Sequence, residues 1–189
     1  ADASAAPGLA TLLHDADPAV AGAAAAALGR IGTLEAARAL EAFRTTAPKS
    51  LQLVFNAAFV VGAEGLVRRG ERPEATRIFR QLYERETGML RLAGFRGLVQ
   101  VEPDKANQWL SQALGGRDES LRRAAGRLLT DLPGDHALKP YLDAWKSLPA
   151  AGQVALLEVV RSRRDSGAYS TVLAACGSDG GSATSPAAS

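Results

Sequence analysis

The segment Asp17–Gly32 reads DPAVAGAAAAALGRIG, and the same helical pattern returns, altered, twice further along the chain. Thr87–Val101 reads TGMLRLAGFRGLVQV, and Asp118–Leu132 reads DESLRRAAGRLLTDL. A helix-length block that recurs about every thirty residues is the mark of stacked repeats, in which no unit buries its apolar face alone and each does so against its neighbours. This constrains the chain more than any other feature. It predicts helices throughout and a core passed on from one hairpin to the next.

Composition agrees with that expectation. Ala, Leu, Gly and Arg dominate, and aromatics make up only 5% of the 189 residues, a mixture that favours closely packed helices over sheets. Small residues on a helix face let neighbouring backbones approach, so the core is expected to be built from Ala and Leu contacts.

Apolar periodicity predicts the elements one by one. A short helix covers Gly8–His14. Asp17 caps the next helix and Pro18 takes its first position, with Val20, Ala24, Leu28 and Ile31 on one face. Further helices are expected over Leu34–Phe43, Leu51–Arg69 (stopped by Gly70), Arg72–Glu84, Met89–Val101 and Pro103–Leu114. They continue over Leu121–Leu132, Ala137–Leu148, Ala151–Arg163 (with Val154, Leu157 and Val160 inward) and Gly167–Cys176. In pairs, these give about five antiparallel hairpins and a terminal half-repeat. Their inner helices start near Pro18, Pro48, Gly88, Glu119 and Pro149. A single repeat domain is thus expected over 1–176. Residues 177–189, rich in Gly, Ser and Ala, read as a tail or linker.

The pattern resembles the HEAT-repeat family, and within it the short bacterial repeats of the phycobilisome-lyase HEAT-like type. The residues that carry the resemblance are Asp17-Pro18 and Val20 with Ala23, Ala24, Leu28, Gly29 and Ile31. In the second copy they are Leu90-Arg91 with Ala93 and Leu98. In the third they are Asp118 with Leu121-Arg122, Ala125 and Leu129. The stretch 63–84 departs from it and looks more like a tetratricopeptide pair. The resemblance implies an all-α, right-handed α-solenoid whose concave face is lined by the second helix of each pair. It further implies a non-catalytic scaffold that binds a partner protein on that face.

The net charge is +2, well below the basic footprint of a dedicated nucleic-acid binder. Charge is nevertheless uneven: 61–100 holds eight Arg and five Glu. Four arginines of the inner helices, Arg96, Arg123, Arg127 and Arg161, are the candidate binding residues, offered to acidic groups of a partner. Arg91 and Arg122 are expected instead to bridge neighbouring repeats, because Glu86 and Asp118 precede them by about one turn. An arginine stripe that holds duplex DNA is the first alternative function. A lyase-associated enzyme subunit that holds a cofactor or a client is the second.

No catalytic residue, metal site or cofactor is predicted. His14 and His136 lie far apart with no second ligand at metal spacing, and the single Cys176 has no neighbouring base in sequence. Trp109, Tyr83, Trp145 and Tyr141 offer stacking surfaces, but their helical spacing among apolar neighbours marks them as core. The longest apolar run, Leu51–Val61, is interrupted by Gln52 and Asn56 and falls short of the roughly 18–20 residues of a membrane span. The chain begins at Ala1 with no visible signal, so either a mature product or a piece of a longer protein is expected, in a cytoplasmic or extracytoplasmic bacterial setting. The last helix has no following partner in sequence, which predicts a capping half-repeat, a longer array or self-association.

Overall fold

Several helices start and stop where local chemistry dictates. In this computed structural model, which describes residues 2–134, 137–164 and 166–177, Asp17 Oδ1 accepts the Ala19 amide at 2.8 Å and Pro18 opens α2 (Pro18–Ile31). Gly32, at φ 59, ends that helix. Thr33 Oγ1 caps α3 (Leu34–Arg44) through the Ala36 amide at 3.3 Å. Gly70, at φ 82, ends the turn after α4 (Gln52–Arg68). With α1 (Ala6–Leu12), α5 (Arg72–Arg85) and α6 (Gly88–Val101), these form the first of two compact units, residues 1–103. The second unit, 104–189, holds α7 (Ala106–Gly115), α8 (Glu119–Thr130), α9 (Lys139–Asp143), α10 (Ala150–Arg163) and α11 (Ser166–Gly177). Helix accounts for 81% of the described residues and there is no strand among them, which places the chain in the all-α class.

In the first unit, helices pack on their next-but-one neighbours as well as on their hairpin partners. Helix α2 lies against α4, α4 touches α6, and α1 touches α3. The α2–α4 contact runs backbone to backbone: a Cβ at Gly65 would lie 2.6 Å from Gly32 Cα, and one at Gly29 would lie 2.7 Å from the Ala58 carbonyl oxygen. That approach corrects the expected inward face of α2. Ala21, Ala24, Ala25, Leu28 and Ile31 are buried, whereas Val20 is exposed. The helix is rotated so that its smallest side chains meet α4, because only they allow this distance.

In this unit Phe55, Phe59, Phe79 and Phe95 are fully buried. Phe43 packs against Phe55 at 4.9 Å and takes His14 edge-on at 4.6 Å. Ion pairs tie α3 to the α5 region: Arg77 of α5 pairs with Glu41, and also with Glu74 one turn back on its own helix, and Arg44 pairs with Glu86. The Arg77 hydrogen bonds hold the Glu74 carboxyl below its ordinary value.

One helical stretch, Lys49–Arg68, is long and apolar enough to cross a membrane by length and composition, with a mean hydropathy of 1.5 over its window. The apolar run therefore extends beyond Leu51–Val61, through Gly62, Ala63, Leu66 and Val67. Its Phe55, Phe59, Ala63 and Leu66 are fully buried among the helices that pack on α4, as befits the central helix of a helical unit.

In the second unit, α8 and α10 lie side by side and both touch α7. A Cβ at Gly152 would lie 2.6 Å from the Leu114 carbonyl oxygen, and this contact fixes the rotation of α10. Leu156, Val159 and Val160 are buried in consequence. Val154 and Leu157, expected inward, are 55% and 37% exposed. The helix expected over Ala137–Leu148 is broken. Pro140 can stand only in a first turn, so α9 starts at Lys139, and after Asp143 the chain tightens into a 3₁₀ turn at Trp145–Ser147. Tyr141, Leu142 and Trp145 are buried there. Helix α11 packs on α9, on that turn and on α10, with Ala168 and Val172 buried. His136, the Cys176 side chain and the tail from 178 lie outside the described residues.

Two predictions arise from this unit. Arg164 is the one non-glycine residue with positive φ, at 53°, among the described residues. A left-handed conformation costs an L residue roughly 1–2 kcal/mol that glycine does not incur. Arg164→Gly is expected to raise stability by up to about 1 kcal/mol, net of the entropy glycine adds to the unfolded chain. Urea titration of the two proteins checks this, and an unchanged or lowered midpoint would contradict it.

Tyr141 donates its hydroxyl proton to Asn107 Oδ1 at 2.8 Å, and burial pushes its pKa from 10.0 up to about 12. The folded state thus favours the neutral phenol. The resulting stability is complete below pH 10 and is lost as pH rises from 10 to about 12. An alkaline titration should show one phenolate signal appearing late, together with a change in tryptophan fluorescence, since both tryptophans lie in this unit. Ionisation of all tyrosines together, with the fold intact, would contradict it.

Candidate functional site

Helix α8 sets one wall of a broad groove in the second unit. Asp118 Oδ1 accepts the Ser120 and Leu121 amides at 2.9 and 3.2 Å and fixes the helix start. Leu121, Ala124, Ala125 and Leu129 are buried. With that face committed, Glu119, Arg123 and Arg127 stand on the opposite side at four-residue intervals, each one turn from the next.

The second wall is α10. It presents Ala151, Val154, Ala155, Glu158 and Ser162, and Val159 joins Gly126 at the base. Gly126 has room there, with Val159 Cγ2 3.7 Å from where its Cβ would be. The groove encloses about 530 Å³, within the range of ligand-binding clefts. Its base is small and apolar, and its α8 side is basic.

The groove arginines differ in how they are held. Arg123 pairs with Glu119 at 3.3 Å, but both side chains are largely exposed, so the pair is worth only about 0.3–0.5 kcal/mol and opens readily to a competing carboxylate. Arg127 is exposed and has no ion-pair or hydrogen-bond partner for its guanidinium among the described residues. Arg122 is half-buried and donates to the Gly116 carbonyl at 2.8 Å, which fastens the start of α8.

Arg123 and Arg127 are therefore brought to one groove. Arg161 is exposed on α10 outside the groove lining, and Arg96 is exposed on α6 in the other unit. Of the expected bridging arginines, Arg91 lies over the Tyr83 ring at 5.3 Å, while Glu86 is engaged by Arg44. Tyr141 and Trp145 are core residues, and Tyr83 and Trp109 are half-buried.

Sequence reasoning missed two sets of residues. One is the α10 wall, because Val154 fits the apolar stripe of its helix and reads as core. The other is a pair of arginines that close helix ends. Arg69, just after α4, donates from Nε and Nη2 to the Ile31 carbonyl at the end of α2, at 3.2 and 3.1 Å. Arg163, at the end of α10, donates to the Leu129 and Thr130 carbonyls at the end of α8, at 3.2 and 3.1 Å, and also to Leu132 and Gly134. A cation at the negative end of a neighbouring helix satisfies carbonyls that have no partner within that helix. The available signal is a basic residue at the end of α4 and of α10.

Comparison of the chain with models of known families, with characterised proteins and with solved structures found no match to any of them. Among the described residues no three His, Cys, Asp or Glu side chains gather as metal ligands would.

Proposed function

We propose that this chain is a non-catalytic protein-interaction module built of HEAT-like hairpins. In this proposal the hairpins stack with a right-handed twist and present α2, α4, α6, α8 and α10 on a concave side. Next-but-one packing supports the stacking, because hairpins in an array touch through equivalent helices. The recurrence of linking contacts supports it as well. Arg69 and Arg163 close the preceding inner helix in the same way. Gln52 and Gln153, at the starts of α4 and α10, each donate to a backbone carbonyl eight residues back, Arg44 and Trp145.

The observation that carries the function is the groove between α8 and α10, where Arg123 and Arg127 stand exposed beside an apolar base. Surfaces that combine available guanidinium groups with apolar contact area are typical of protein interfaces. Glu119 and Glu158 line the same groove and would repel a phosphate backbone, so protein binding is favoured over duplex DNA.

The experiment is capture from extract of the source organism, with and without nuclease treatment, on the immobilised chain, with mass-spectrometric identification. A protein retained in stoichiometric amount at physiological salt is expected. Retention of nucleic acid alone, or of nothing, would overturn the proposal. A coloured or fluorescent small molecule copurifying with the chain would favour the cofactor-holding alternative.

A further inference from the structure

We infer that the groove between α8 and α10 receives one amphipathic α-helix of a partner protein, about three turns long, with its acidic flank against α8. The inference rests on the interaction-module reading and names the occupant. It begins with the spacing of the walls. On α8 the groove residues run from Glu119 to Thr130 at i, i+3, i+4, i+7, i+8 and i+11, and on α10 they run from Ala151 to Ser162 at the same intervals. The two helices point the same way, since Arg163 at the end of α10 reaches the carbonyls at the end of α8. Two matched stripes on parallel neighbours form the seam that a third helix fills. The seam is about 16 Å long at 1.5 Å per residue.

The walls also select against an extended segment. A strand docks by adding backbone hydrogen bonds to an open sheet edge, whereas the backbone groups along both walls are already used within α8 and α10. What the groove offers is side-chain contact. Val154 stands 55% exposed beside Ala155 and Gly126, a seat for Leu, Ile or Met at every third or fourth position of an incoming helix.

Charge sets the orientation of that helix about its axis. Arg123 and Arg127 stand one turn apart, about 6 Å along α8, which is the spacing of two carboxylates at i and i+4 on a helix. Arg127 has no partner to lose, and Arg123 has only its weak pair with Glu119. The α10 wall carries Glu158 as its one charged residue, so the opposite flank of the incoming helix is neutral or carries a lysine.

The test uses a labelled synthetic helix of about four turns with Leu along one face, Glu at i and i+4 on one flank and Lys on the other. Its binding to the full chain is followed by fluorescence anisotropy. Binding is expected, with at least about tenfold weakening for Arg123→Glu/Arg127→Glu, for Val154→Glu and for peptides with Gln in place of Glu or a central proline. The substituted side chains are exposed, and circular dichroism checks that the fold persists. Should a variant unfold, the Gln and proline peptides read the same interaction on the unaltered chain. Equal affinity for the Gln or proline peptides, absence of binding, or preference for an extended peptide or a duplex oligonucleotide would overturn the inference. So would sedimentation showing that the groove holds a second copy of this chain. Capture from extract that persists with the double arginine variant would remove the groove and leave the module reading standing. Loss of all capture by the unaltered chain would remove both.

Discussion

Gly65→Val is expected to unfold the first unit's central contact, at a cost of about 3 kcal/mol or more. Overpacking commonly costs roughly 1–3 kcal/mol when side chains can move aside. Here the obstacle is backbone, since the new Cβ would lie 2.6 Å from Gly32 Cα and 3.4 Å from its carbonyl oxygen. Gly32 cannot shift freely, because it holds a left-handed conformation at φ 59 and donates its amide to the Leu28 carbonyl at 3.0 Å. The α2 and α4 helices would have to separate, uncovering Leu28, Phe55 and Phe59. Gly8→Ala in α1 is the control: nothing lies within 4 Å of that position, and the substitution should be neutral or stabilising by up to about 1 kcal/mol. Hydrogen exchange should report loss of protection in α2 and α4 for Gly65→Val alone. A protected α2–α4 pair in that variant would show that the helices do not meet as described.

Phe79→Ala is expected to cost about 3–5 kcal/mol, because the ring is 1% exposed and seals the α5–α6 contact. Its seat is Gly97, where a Cβ would fall 2.2 Å from the ring carbons. The two positions should therefore couple. Gly97→Ala by itself is expected to be destabilising, and in the Phe79→Ala background it should be neutral or favourable because it occupies vacated space. A double-mutant cycle in urea measures this, with a coupling of at least about 1 kcal/mol expected. Additive effects would mean that Gly97 does not seat the ring.

The elements themselves were legible because their signals are local. Asp17-Pro18, Thr33, Gly70 and Asp118 act within one helical turn, so their chemistry can be read without knowing what lies across the core. The starts of α2 and α8 follow from Asp17 and Asp118. Rotations about the helix axes were less legible. Both Val20 and Val154 fit an apolar stripe, and both are exposed, because glycine contacts between neighbouring helices decided which face turned inward. Arg123 and Arg127 could be read as exposed on α8, whereas the α10 wall facing them could not.

The sequence by itself determined that the chain is helical, where its helices begin and end outside the broken 137–148 stretch, and which arginines stand away from the apolar stripes. These are consequences of backbone hydrogen bonding, capping and periodicity within one segment. Only the tertiary structure decided that Arg69 and Arg163 close neighbouring helices, and that α8 and α10 share a groove in which Arg127 is left available. The physical reason is distance along the chain. Arg163 meets Leu129 across 34 residues, and Gly152 sets α10 against Leu114 at a backbone separation that only glycine permits. Helical periodicity carries no record of such contacts.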